Sequence, residues 1–123
     1  MKQSIVTVVK EKHRQLDILE SNESFKEMYE VLVELGKIAR TEKYFTTLST
    51  LQFTEGRIES ALQTVNEGIQ HFTYSYSLNL NAALIHFTAG SYERTFYHFG
   101  KCLRFASEKE NKDDIFEKCR CNF

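Results

Sequence analysis

Gly56-Arg57-Ile58-Glu59-Ser60-Ala61 is answered, 34 residues later, by Gly90-Ser91-Tyr92-Glu93-Arg94-Thr95. The correspondence extends beyond these two hexapeptides. At the same offset Phe53 meets Phe87, Leu62 meets Phe96, Val65 meets Phe99, Ile69 meets Leu103 and Phe72 meets Ala106. A fixed period of this length, carrying a Gly-centred turn between two apolar-periodic segments, is the pattern of helix pairs stacked in series. The expected fold is therefore all-α, built from recurring hairpins of helices.

Composition agrees. The 123-residue chain is long enough for one domain with a core of its own. It has no Pro and only 5 Gly, which favours long helices over a turn-rich β fold. Net charge is −1, without the basic excess of a nucleic-acid binder, so no nucleic-acid partner is expected. Residues 70–92 carry no Asp, Glu, Lys or Arg, yet too many Ser, Thr, Asn, Tyr and His groups for a hydrocarbon span, so no membrane insertion is expected. Three Cys and no secretory-type N-terminus predict reduced thiols and a cytoplasmic, intracellular location.

Taken in order, residues 4–20 space Ile5, Val8, Val9, Leu16 and Leu19 as a helix does, although Ile5–Val9 alone also fits a strand. Ser24 and Glu27 have capping-box spacing, so a second helix is expected from about Phe25. Its apolar face runs through Met28, Tyr29, Leu32, Leu35 and Ile38, and Gly36 interrupts it, as a close helix–helix approach would require. Thr41 and Glu42 open a third helix that extends to about Glu55. Further helices are predicted over about 57–72, 75–88 and 92–107, with a short terminal one within 113–123. The segments 44–54 and 75–88 are uncharged, whereas 57–72 and 92–107 are amphipathic with charged faces. In a stack of pairs the first helix lies between neighbours and the second shows a face to water, and that packing would produce this alternation.

Gly56, Ile58 and Ala61, then Gly90 and Tyr92, with Leu48, Phe99 and the small residues Gly68 and Cys102, resemble the tetratricopeptide repeat. The resemblance covers about half the chain closely, as units 42–75 and 76–109, and a degenerate unit at 8–41 more loosely. Thr95 stands where the family has Ala, Thr73 and Ser107 where it has Pro, and Asn79 where it has an aromatic residue. The resemblance implies a right-handed α-solenoid of antiparallel helix pairs, about three repeats plus a short C-terminal helix. It further implies a non-catalytic adaptor or scaffold that holds a protein or peptide partner in a groove lined by the first helices. The residues it places there are Thr46, Ser49, Thr50 and Phe53 from one unit, and Ser77, Leu80, Asn81, Leu84 and Thr88 from the next. That set lacks Lys and Arg, so a carboxylate-clamped chaperone tail is not the expected ligand. Phe53 also reads as core, and any of these positions can equally be packing. Self-association through the C-terminal end, as a subunit of a larger assembly, and a regulatory domain sensing a small ligand are the competing readings.

No cofactor or metal is expected. Cys119 and Cys121 are separated by one residue, tighter than paired zinc ligands, and Cys102 is accounted for as a small buried residue. His86 and His98 read as core or rim histidines before ligands, while His13 and His71 point to nothing. No phosphate-binding Gly loop, nucleophile elbow or His-Glu-x-x-His is present, and the carboxylates lie among Lys and Arg on helix faces, so no enzymatic activity is expected.

Overall fold

Six helices form the computed structural model, which describes residues 4–109: α1 (Ile5–Ser21), α2 (Phe25–Ile38), α3 (Glu42–Thr54), α4 (Ile58–His71), α5 (Tyr76–Thr88) and α6 (Tyr92–Lys109). No strand occurs among the described residues. The predicted terminal helix within 113–123 lies outside them. Consecutive helices pack as α1 with α2, α3 with α4 and α5 with α6, and the pairs join through α2–α3, α4–α5 and α3–α5 contacts. The fold is all-helical and repeat-like.

The turns explain the 34-residue echo. After α3, the Gly56 N–H donates to the Phe53 carbonyl (3.0 Å) and the Arg57 N–H to that of Gln52 (2.8 Å), with Gly56 at φ 82°. After α5, Gly90 donates to Phe87 (3.1 Å) and Ser91 to His86 (2.8 Å), with Gly90 at φ 83°. Both are Schellman closures, in which a left-handed residue satisfies the last carbonyls of a helix. The first pair closes in the same way without a glycine. The Glu23 N–H reaches the Glu20 carbonyl (3.1 Å), the Ser24 N–H reaches that of Leu19 (2.9 Å), and Glu23 takes φ 57°. Glu23 is thus the turn residue of the degenerate unit, 33 positions before Gly56. A side chain at positive φ costs roughly 1–2 kcal/mol, partly offset by its lower freedom in the unfolded chain. Glu23→Gly should therefore stabilise the protein by about 0.5–1 kcal/mol, read as a few degrees in thermal unfolding. An unchanged or lower midpoint would show that the turn carries no such strain.

Caps differ in part from expectation. Thr41 accepts the Tyr44 N–H (3.2 Å) and Ser75 that of Leu78 (3.1 Å). Ser24 occupies the N-cap of α2 but makes no side-chain capping bond, so the predicted capping box is not formed. The Ser24 backbone is already committed to the turn before it.

Two apolar clusters hold the helices together. Leu16, Met28, Leu32, Leu35 and Leu51 join α1, α2 and α3. Phe45, Ala61, Val65, Leu78, Ala82 and Ile85 join α3, α4 and α5, with Leu62, Ile69 and Phe72 packed at their margin. Tyr44 touches both. Two glycines permit close approach. A Cβ on Gly36 would stand 3.0 Å from the Tyr44 ring, and one on Gly68 would stand 2.8 Å from Phe45 Cβ. The uncharged α5 is deeply embedded, burying Leu78, Asn79, Ala82, Ala83, Ile85 and His86. The α6 helix departs from the pattern of α4, because Phe96 and Leu103, the counterparts of Leu62 and Ile69, face solvent.

Candidate peptide-binding groove

A groove of about 600 Å³ runs along one face of α3 and continues onto α1, the start of α2 and the start of α5. Thr46, Thr47, Thr50 and Thr54 of α3 form its wall, and Met28 and Leu51, both buried, form apolar floor. Phe25, 42% exposed, and Ser77 also line it.

The threonine wall has a defined chemistry. Thr46 donates its hydroxyl to the Glu42 carbonyl (2.5 Å), Thr50 to that of Thr46 (2.8 Å) and Thr54 to that of Thr50 (2.8 Å). With each proton committed to the helix backbone, those hydroxyls offer lone pairs and methyl groups. Such a surface accepts from amide N–H groups and tolerates apolar side chains.

Three of the ionisable groups on the groove are already engaged, while the fourth, Glu20, is exposed. Lys43 donates to Asp17 of α1 at 2.6 Å, and Glu42 accepts the Ser75 hydroxyl at 2.6 Å. His13 Nε2 lies 2.9 Å from the Thr41 hydroxyl. Burial, with the positive charge of Lys43 next in size, holds His13 below the usual histidine range, while Asp17 opposes them. The resulting surface is polar and weakly acidic, since Glu20 and Glu42 outnumber Lys43, which suits a ligand that is neutral or weakly basic.

Of the residues predicted to meet a partner, Thr46, Thr50 and Ser77 line this groove. Phe53 packs instead against the core cluster of Phe45 and Val65. Asn81 spans two helices: its Nδ2 approaches the Thr46 carbonyl (3.2 Å), Ser49 Oγ (3.0 Å) and Thr50 Oγ1 (3.1 Å), tying α5 to α3 beneath the threonine wall. Leu84 is exposed one turn further along α5, and Thr88 is exposed with its hydroxyl on the Leu84 carbonyl (3.1 Å); neither lines the groove. The groove lies nearer the N-terminal end than the two-unit reading placed it. His13, Glu20, Phe25 and Met28 come from the degenerate unit, and Lys43 contributes a cation where none was expected. The signal that could have located the first four was Glu23, the hidden equivalent of Gly56.

A second polar cluster lies between α5 and α6. Asn79 donates from Nδ2 to the Ser75 carbonyl (2.8 Å), so its Oδ1 is left to accept from His98 Nδ1 at 2.9 Å. The His86 and His98 rings stack at 5.5 Å, inclined by 7°. Both histidines are buried, which places them in the core and not at the rim. Asn79, which departs from the aromatic residue of the repeat pattern, thus has a partner. Among the described residues no three His, Cys, Asp or Glu groups converge as a metal site would require, and no helix is long and apolar enough to cross a membrane. Cys102 is buried with its thiol pushed up to about 11 by desolvation. Cys119 and Cys121 lie outside the described residues.

Compared with known proteins, the chain matches no family model and no curated sequence.

Proposed function

We propose that this protein is a non-catalytic, tetratricopeptide-like solenoid of the cytoplasm that binds an extended segment of another polypeptide along the threonine wall of α3. The observation that carries the reading is the 600 Å³ groove itself, with apolar Met28 and Leu51 and the hydroxyls of Thr46, Thr50 and Thr54 along it, of which Thr50 already accepts from Asn81. Backbone N–H groups of a peptide would donate to the hydroxyls, and an apolar side chain would settle between Phe25 and Leu51. The prior commitments of His13, Lys43 and Glu42 support binding over acid–base catalysis, since none of the three is left poised over open space.

The test selects peptides from a random displayed library on the wild-type protein and measures them on two variants. Thr54→Arg places a long cation in the groove, and Phe25→Glu charges its edge. Both positions are exposed, so circular dichroism and thermal midpoint should hardly move. Selected neutral, apolar-centred peptides should bind each variant at least tenfold more weakly, about 1.4 kcal/mol. Peptides that bind wild type and both variants alike would locate recognition elsewhere. Asn81 is unsuited to the purpose, because substituting it breaks the α3–α5 tie as well as altering the surface.

A further inference from the structure

We propose that the polypeptide held along α3 carries a cationic side chain, Lys or Arg, two residues from the apolar one that settles on Met28 and Leu51, and that Glu20 pairs with it. The inference rests on the groove reading above and names the class of peptide that such a groove selects. Four ionisable residues line the groove: His13, Glu20, Glu42 and Lys43. The Lys43 ammonium is offset locally by Asp17 at 2.6 Å. Glu42 accepts a neutral hydroxyl, that of Ser75, so its negative charge is hydrogen-bonded without being neutralised. His13, held low mainly by burial, is uncharged near neutral pH. Glu20 is exposed, and its carboxylate has no hydrogen-bond or ion-pair partner among the described residues. The lining thus presents two uncompensated carboxylates, while its one cation already has a counterion. Charge complementarity favours a cation on the ligand and penalises an anion.

The spacing follows from the contacts that α1 makes with α3. His13 meets Thr41 and Asp17 meets Lys43, so the two helices run in the same sense. Glu20 lies three residues beyond Asp17, close to one turn, which brings it level with Thr46 and Thr47. All three line the groove. Leu51, which supplies apolar floor with Met28, comes four to five residues later on α3, roughly 6–8 Å at 1.5 Å per residue. An extended peptide advances roughly 3.3 Å per residue and returns a side chain to the same face at every second one, so two such side chains stand roughly 6.6 Å apart. One residue of the peptide therefore reaches Glu20 while its neighbour but one occupies the floor. Glu42, tied to Ser75, adds to the field; Glu20 makes the contact.

The test starts from a neutral, apolar-centred peptide whose binding to the full chain is weakened by Thr54→Arg and Phe25→Glu, and replaces its residues one at a time by Lys. Lys at one of the two positions next but one to the apolar residue, the side being set by chain direction, should tighten binding about fivefold, the upper range for an exposed ion pair. Glu20→Gln changes an exposed position, so helicity and thermal midpoint should hold while that gain disappears. On Glu20→Lys the same peptide position should prefer Glu to Lys. A scan in which no position gains, or a gain that survives Glu20→Gln, would overturn the inference and leave the groove in place. An equal gain at every position would do the same, since it would report the field of the whole chain. A gain that depends on Glu20 but falls at another position would overturn the spacing. If no peptide is weakened by Thr54→Arg and Phe25→Glu, the groove reading falls first and this inference falls with it.

Discussion

Replacing Phe45 by Ala should cost about 3–5 kcal/mol, the range for truncating a fully buried aromatic side chain. Phe45 is the largest of the fully buried side chains, at 1% exposure, and stands where three helices meet. Its Cβ lies against the backbone of Gly68 on α4, and Leu78 of α5 shares that contact. Its ring stacks on His71 at 6.0 Å, meets Tyr44 edge-on at 5.1 Å and tilts against Phe72 at 6.3 Å. The cavity left by Ala cannot close cheaply, because Gly68 has no side chain to move in and Tyr44 is held by Gly36 on its other side. A domain of this size is stable by roughly 5–15 kcal/mol, so one substitution removes from about a fifth to all of the total. The thermal midpoint should fall by roughly 12–20 °C. Phe45→Leu, which refills most of the space, should lose less than half as much. A loss below about 1 kcal/mol for Phe45→Ala would mean that α4 and α5 are held to α3 by something other than this joint.

The importance of Phe45 was not legible in the chain. Residues 44–54 show little helical amphipathicity, because α3 is contacted by α2, α4 and α5 and its one open face, along the groove, carries threonines in place of charged residues. Periodicity marks a helix that is buried on one side, as α2 and α4 are, and it fades for one surrounded by neighbours. What could be read was the punctuation. Gly56 and Gly90 announced their turns because a left-handed residue is nearly always glycine, and the helix ends follow within a few residues. Glu23 concealed the equivalent turn, since the hydrogen bonds of the closure outweigh the strain of one side chain at positive φ.

The candidate site was legible to a similar depth. Thr46, Thr50 and Ser77 could be placed by register along helices whose phase the turns had set. Phe53 and Asn81 could not, because register places a Cα and leaves open whether the side chain faces solvent, core or a neighbouring helix. Asn81 illustrates the difference. Its two amide hydrogens are shared among three acceptors of α3 within reach, so a residue that looks like a ligand contact serves to fix the wall on which a ligand would lie. The polar core between α5 and α6 was similarly hidden. Asn79 and His98 are separated by 19 residues and become intelligible only as a bonded pair.

That pair should make the protein acid-sensitive. Neutral His98 carries its proton on Nδ1, donated to Asn79 Oδ1, and is 8% exposed. Desolvation lowers its pKa to about 4, and the positive charges of a protonated His86, Lys101 and Arg94 act in the same direction. His86 is shifted down as well, by burial first and Arg94 second. A histidine depressed in the folded state stays neutral there while the unfolded chain, with a pKa near 6.5, takes up a proton. Stability is therefore complete above about pH 6.5 and is lost as pH falls toward about 4, where the folded form protonates too. At 1.36 kcal/mol for each unit of difference the limit for His98 is about 3 kcal/mol, and water penetration around a partly solvated ring reduces it to about 2. Carboxylates such as Glu34, held low by Lys12, lose stabilising contacts on further acidification, so the wild-type curve alone would not isolate the histidine. His98→Gln preserves a donor toward Asn79 and does not titrate. Between pH 7.5 and 4.5 in urea unfolding, wild type should lose about 2 kcal/mol more than His98→Gln. Parallel curves for the two proteins would show that the stacked pair is solvated enough to hold its protons, and that the α5–α6 seam is not as dry as its geometry indicates.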